Sequence, residues 1–172
     1  MQNKSAARLA VAAMCLALCL VLPFLTGQIR EIGNMLCPMH LPVLLCGFLC
    51  GWPWGLVVGA IAPVLRSALF GMPLMFPIAV SMAVELAVYG FVTGFLSARL
   101  PKKIGWTYAA LVAAMLLGRA AWGVVRLLFA GLSGSAFTWA MFLSGALTTA
   151  IPGIAAQLIL VPVIVAAIRR RA

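Results

Sequence analysis

Residues 9–25 contain no charged side chain, and comparable apolar runs recur to the end of the chain, separated only by short polar or Gly- and Pro-containing breaks. Few folds accept such a pattern. In water these runs would have no polar coat to present. In a bilayer every backbone N–H and C=O must find its partner within the protein, which makes each run a helix. A helix rises about 1.5 Å per residue and the hydrocarbon layer is about 30 Å thick, so a span takes roughly 20 residues. Six candidate spans follow, over 6–25, 36–52, 54–70, 74–98, 106–129 and 136–168. The expected fold is an all-α polytopic membrane protein with six transmembrane helices, forming one domain over residues 1–172. The second and third spans are short and hinge at Trp52-Pro53-Trp54, where proline and interfacial tryptophans suit a surface turn. The sixth is long for one straight helix, and Pro152-Gly153 offers a kink within it. Lys4 and Arg8 ahead of the first run resemble a signal peptide, but no small-x-small cleavage site follows, so the run reads as the first spanning helix.

Charge narrows the function classes. There are 12 Lys and Arg residues against two acidic ones, Glu31 and Glu85, giving a net charge of +10. The basic residues stand singly or in short groups beside apolar runs, which fits a membrane surface and no nucleic acid. With two carboxylates and no phosphate-binding loop, neither paired-carboxylate catalysis nor ATP hydrolysis has its raw material, and no cofactor or enzyme activity is expected. Cys15, Cys19, Cys37, Cys46 and Cys50 lie mostly inside apolar runs and read as small hydrophobes, not as a disulfide framework. Placing both termini in the cytoplasm puts Lys4, Arg8, Arg99, Lys102, Lys103, Arg169, Arg170 and Arg171 on the inner side, as the positive-inside rule prefers.

The remaining charges are the informative ones. An arginine at the bilayer centre costs about 2.5–3.5 kcal/mol even on the lenient insertion scale, so Arg119 and Arg126 are expected to face protein or water. They share a face of the fifth span with Trp122. Counting along the helices puts Arg119 about 20 Å from the inner surface and Glu85 about 16 Å from the outer one, with Tyr89 a turn further in. Glu85 and Arg119 therefore can meet, either as a structural ion pair or as part of a ligand site. Four arginines, Arg30, Arg66, Arg119 and Arg126, against two glutamates in the outer half favour an anionic solute, with Trp122, Tyr89 and Trp139 available to cover its apolar part. Snorkelling to outer headgroups is the competing role for Arg66 and Arg126.

Residues 33–42 join the first two spans and carry Asn34 and the single histidine, His40, on a stiff loop or frayed helix start that can lid a cavity. A hydrogen-bonded structural histidine is the alternative. Cys37, Met39 and His40 offer soft metal ligands, but their spacing closes no site and no metal is expected. Ala6, Ala10, Ala13 and Ala17 form a flat stripe on the first span that permits close approach of a helix, from this chain or a partner. Gly47, Gly51, Gly55 and Gly59, with Gly90 and Gly94, predict tight internal packing.

Together with that alanine stripe, the stretches PMHLPVLLCGFLCGWPWGLVVG, RSALFGMPLMFP and MAVELAVYGFVTG in a chain of 172 residues resemble the S component of an energy-coupling-factor (ECF) transporter. The resemblance covers nearly the whole chain and implies a bacterial cell-membrane subunit that binds a vitamin or related micronutrient in an outward-opening pocket. It points to Asn34, His40, Glu85, Tyr89, Arg119, Trp122 and Arg126 as pocket residues. It also implies docking onto a transmembrane coupling subunit through small residues matching Ala13 and Ala17, flanked by Ala6 and Ala10, with two ATPases supplying energy. Metal-transporting relatives use an N-terminal Met-His pair, whereas Met39-His40 is internal here and position 2 is Gln2. Surplus arginine then favours pantothenate, with folate or biotin next. Two readings from other classes compete: a structural membrane subunit or small channel, and a rhomboid-like intramembrane serine protease suggested by Gly131-Leu132-Ser133-Gly134. In the latter case 131–135 reads as an outer turn and the sole histidine precedes the serine.

Overall fold

The computed structural model describes residues 4–25, 36–133, 138 and 151–171, and among these every regular element is helical. In chain order they are α1 (Lys4–Leu25), α2 (His40–Cys50), α3 (Trp52–Phe70), a π-helical turn (Met75–Ala79), α4 (Val80–Arg99), α5 (Ile104–Ser133) and α6 (Ile151–Arg171). Five helical stretches of the described residues are long and apolar enough to cross a membrane. The surface is the inverse of a soluble protein's. Leu116, Leu117, Val124, Leu127 and Leu128 of α5 and Ile159 and Val163 of α6 are exposed, while Ser81, Glu85, Thr93 and Gln157 are buried. Lipid tails accept such a coat, and the polar groups gather where helices can partner them.

The second span is shorter than the expected 36–52. Its helix has 11 residues, roughly 16 Å of rise, and is buried almost all round. At that length it is shorter than the hydrocarbon layer is thick, and it is sheathed by the other helices. Its end is set at Gly51, whose φ of 94° suits a residue without Cβ, and not at the expected Trp52-Pro53-Trp54. Trp52 already begins α3 and Pro53 stands in its first turn, where a missing N–H costs nothing. Two other boundaries move. The fifth span extends from the expected 106–129 to Ile104–Ser133, so 131–133 continue a helix where an outer turn was expected. The sixth runs to Arg171, past the expected end at 168, and the expected kink at Pro152-Gly153 lies at the edge of its described part. Of the remainder of 134–150, only Thr138 belongs to the described residues.

The fourth helix is the hub, packed on α2, α3 and α5. Glycines set its distances. A methyl group on Gly90 would fall 2.1 Å from the Gly55 carbonyl oxygen, and one on Gly94 would fall 2.3 Å from the Trp52 nitrogen. One on Gly59 would meet the Leu86 oxygen at 2.3 Å, and one on Gly47 the Gly90 oxygen at 2.6 Å. Thus the four-residue glycine rows are spent inside this chain, backbone against backbone. Thr93, fully buried at that seam, donates its hydroxyl to the Tyr89 carbonyl at 2.8 Å. The first helix buries Ala12, Cys15 and Cys19 against α2 and α3.

Arg66 is also corrected. It is 3% exposed and does not snorkel. Its guanidinium donates to the Leu20 carbonyl of α1 and lies over the rings of Phe24 and Phe70, 4.9 and 5.3 Å from their centroids. Pro23 has no N–H to give the carbonyl four residues back, at Cys19, and the arginine of α3 takes up the next carbonyl along, at Leu20.

Candidate functional site

Glu85 and Tyr89 stand one turn apart on the same face of α4, and both are 1% exposed. The Tyr89 hydroxyl donates to Glu85 Oε1 at 3.0 Å. From α5, Arg119 brings Nη1 within 3.0 Å of the same oxygen. From the start of α2, His40 Nε2 lies 3.4 Å from it. Three helices thus converge on one carboxylate oxygen. A carboxylate stripped of water is costly unless its charge is met, and here a guanidinium, a phenol and an imidazole share that task.

Local chain geometry aims each group. Cys37 takes a positive φ of 47°, and its carbonyl accepts the His40 backbone N–H at 3.0 Å, closing the turn that delivers the imidazole to α4. The Cys37 thiol also receives Arg119 Nη2 at 3.8 Å. The imidazole meets the Tyr89 ring edge-on, 5.4 Å between centroids. Room for that ring comes from Gly118, where an added methyl would sit 2.0 Å from Tyr89 Cε1. Two polar atoms in this cluster, Arg119 Nε and His40 Nδ1, are buried and make no hydrogen bond within the protein. Further along α5, Arg126 lies with its guanidinium carbon 6.0 Å from the Trp122 ring. Seven residues separate it from Arg119, roughly 10 Å along the axis.

The comparison with known families bears directly on this geometry. Residues 7–165 match the family described as ECF transporter, substrate-specific component. The chain belongs to that family. No curated protein and no solved structure gave a match. As an S component it is a multi-pass membrane transport subunit that takes a small-molecule substrate and works with an ECF module.

Within this S component, the structure brings together His40, Glu85, Tyr89 and Arg119 of the expected set and sets Trp122 and Arg126 as a second pair above them. Asn34, Arg30, Glu31 and Trp139 lie outside the described residues. His40 is neither on a loop nor fraying: it is the first residue of α2 and is 3% exposed. Ala6, Ala10, Ala13 and Ala17 are all exposed on the side of α1 away from Cys15 and Cys19, so that stripe is not consumed by packing within the chain. Among the described residues no group of three or more His, Cys, Asp or Glu side chains is placed to hold a metal ion. The sole histidine shares Glu85 with Arg119, and Ser133 lies about 21 Å further along α5, which leaves the serine protease reading without a base in reach.

Sequence reasoning missed Gly118 and the second role of Cys37. A glycine inside an apolar helix costs about 1 kcal/mol against alanine, and that penalty beside Arg119 was the available signal for a packing role. Nothing comparable marked Cys37, whose contact Arg119 lies 82 residues away in the chain.

Proposed function

We propose that this S component captures an anionic, vitamin-like solute, with pantothenate as the first choice and folate or biotin next. The observation that carries the reading is the buried cluster around Glu85, in which Arg119 Nε and His40 Nδ1 have no protein partner. Buried polar atoms are almost always satisfied, so a pair left open beside an ion pair marks a place for a ligand's polar groups, with Arg119 Nε donating to an acceptor. The sign of the ligand follows from charge. Arg119 and Arg126 against Glu85 leave one positive charge in excess on this side of the bundle, and a carboxylate meets it with charge-assisted hydrogen bonds. Trp122, beside Arg126, supplies an apolar cover.

In this reading both termini are cytoplasmic, the site opens toward the cell exterior, and the chain sits in a bacterial plasma membrane. The exposed Ala6, Ala10, Ala13 and Ala17 face docks the transmembrane coupling subunit, and two ATPases power release. The test is equilibrium binding to the detergent-purified S component without ATP, using pantothenate, biotin, folate and the neutral alcohol analogue of pantothenate. Pantothenate should bind at least about tenfold more tightly than its alcohol, and Arg126→Gln should erase most of that preference, since a hydrogen bond to a charged group contributes about 1.5–3 kcal/mol. Equal affinity for acid and alcohol in the unaltered protein would remove the anion reading.

A further inference from the structure

At the other end of α5, about 22 Å from Arg119 by helix rise, the α4–α5 turn and the end of α6 enclose a cleft of about 360 Å³. Its walls are Lys102, Ile104, Thr107, Ala166, Arg169 and Arg170. Three cations therefore converge on one hollow with two apolar walls. Arg169 is held in place from two helices, Nη1 donating to the Thr107 hydroxyl at 3.2 Å and Nη2 to the Ser97 hydroxyl at 3.0 Å. Thr107 is buried, so the guanidinium is fixed at the cleft wall and not free to swing into solvent.

Among the described residues no carboxylate side chain answers this charge. Glu85 is the one acidic side chain among the described residues, and it is engaged by Arg119 and His40. The first turn of α5 begins in the cleft at Ile104, so the positive end of that helix dipole adds to the three side chains. The cleft also lies where the ends of α4, α5 and α6 meet, with exposed Ile104 and Trp106 beside it, a pairing that suits a membrane interface. Like charges brought together at an apolar-walled interface repel one another until an anion joins them.

We infer that this cleft is a binding site for a phosphate group, one that takes the headgroup phosphate of an anionic phospholipid through Lys102, Arg169 and Arg170 while the acyl chains lie along the α5 and α6 surface. The same chemistry can be met by free phosphate, and the experiment separates the two sources. It is independent of the solute site around Glu85, which it neither uses nor requires.

The protein is reconstituted in nanodiscs of phosphatidylcholine containing a minor share of phosphatidylglycerol, released into the mass spectrometer, and the retained lipids are counted. In parallel, inorganic phosphate is titrated into the detergent-solubilised protein. Phosphatidylglycerol should be retained well above its share, and Lys102→Gln with Arg170→Gln, both at exposed positions, should cut that retention by about tenfold or more. Arg169→Gln should do the same, and high salt should weaken retention in the unaltered protein. Inorganic phosphate that binds the unaltered protein and not the double variant would assign the same phosphate site to a soluble source. Retention of phosphatidylglycerol in proportion to its share, with no phosphate binding, would overturn the inference, as would identical lipid retention in the double variant.

Discussion

Substituting Gly118 by alanine tests how the cluster around Glu85 is assembled. The new methyl would fall 2.0 Å from Tyr89 Cε1 and 2.2 Å from Cδ1, with the Glu85 carbonyl oxygen at 3.1 Å. Carbon atoms settle about 3.5–4.0 Å apart, so the ring must retreat by about 1.5 Å. The hydroxyl it carries is 3.0 Å from Glu85 Oε1, and a retreat of that size takes it beyond hydrogen-bond reach. Overpacking of this kind costs about 1–3 kcal/mol, and a hydrogen bond to a charged group contributes about 1.5–3 kcal/mol. Because the two effects share one ring they do not add fully, and the expected loss is about 2–4 kcal/mol. Reversible unfolding in mixed micelles measures it, run as a cycle with Tyr89→Ala, which removes the ring that the methyl would strike. In the Tyr89→Ala background Gly118→Ala should cost almost nothing, giving a coupling of about 2 kcal/mol or more. Gly131→Ala, with nothing within 4 Å of its added methyl, is the tolerant control. Equal losses from Gly118→Ala in both backgrounds would refute the reasoning.

Two further outcomes are expected. Arg66→Leu should lower stability by about 2 kcal/mol in the same unfolding assay, through the lost bond to the Leu20 carbonyl and the contacts with Phe24 and Phe70, while the folded fraction binds solute unchanged; a selective loss of solute affinity would contradict its role as a pin between α1 and α3. Ala13→Phe should leave solute binding by the purified S component intact yet abolish uptake in cells that supply the ECF module, because a large ring on an exposed small-residue face blocks close helix approach; normal uptake would remove the docking role of that stripe.

The helix seam at α3 and α4 explains why the site sits where it does. Gly55 and Gly59 press against the backbone of α4 at Gly90 and Leu86, which fixes the rotation of α4 and turns Glu85 and Tyr89 toward α2 and α5. The four-residue glycine spacing was legible in the chain, and so was the tightness it implies. Its consequence for Glu85 was not, because the direction in which a side chain points depends on which neighbour the glycines admit.

By itself the sequence determined the solvent of this protein and most of its helices, since hydropathy accumulates locally along a run and glycine or proline breaks it at nearby residues. It also indicated that Glu85 and Arg119 lie at compatible depths, because rise per residue converts position into height. Only the tertiary structure decided which arginine does what. Arg66, Arg119 and Arg126 look alike as charges in apolar surroundings, yet one pins α1 to α3, one meets Glu85 and one lies by Trp122. It likewise decided that α2 is a buried wedge, since an apolar helix faces lipid or protein according to what surrounds it. Height is written in one helix, whereas facing is settled between helices, by rotation and crossing that no single segment encodes.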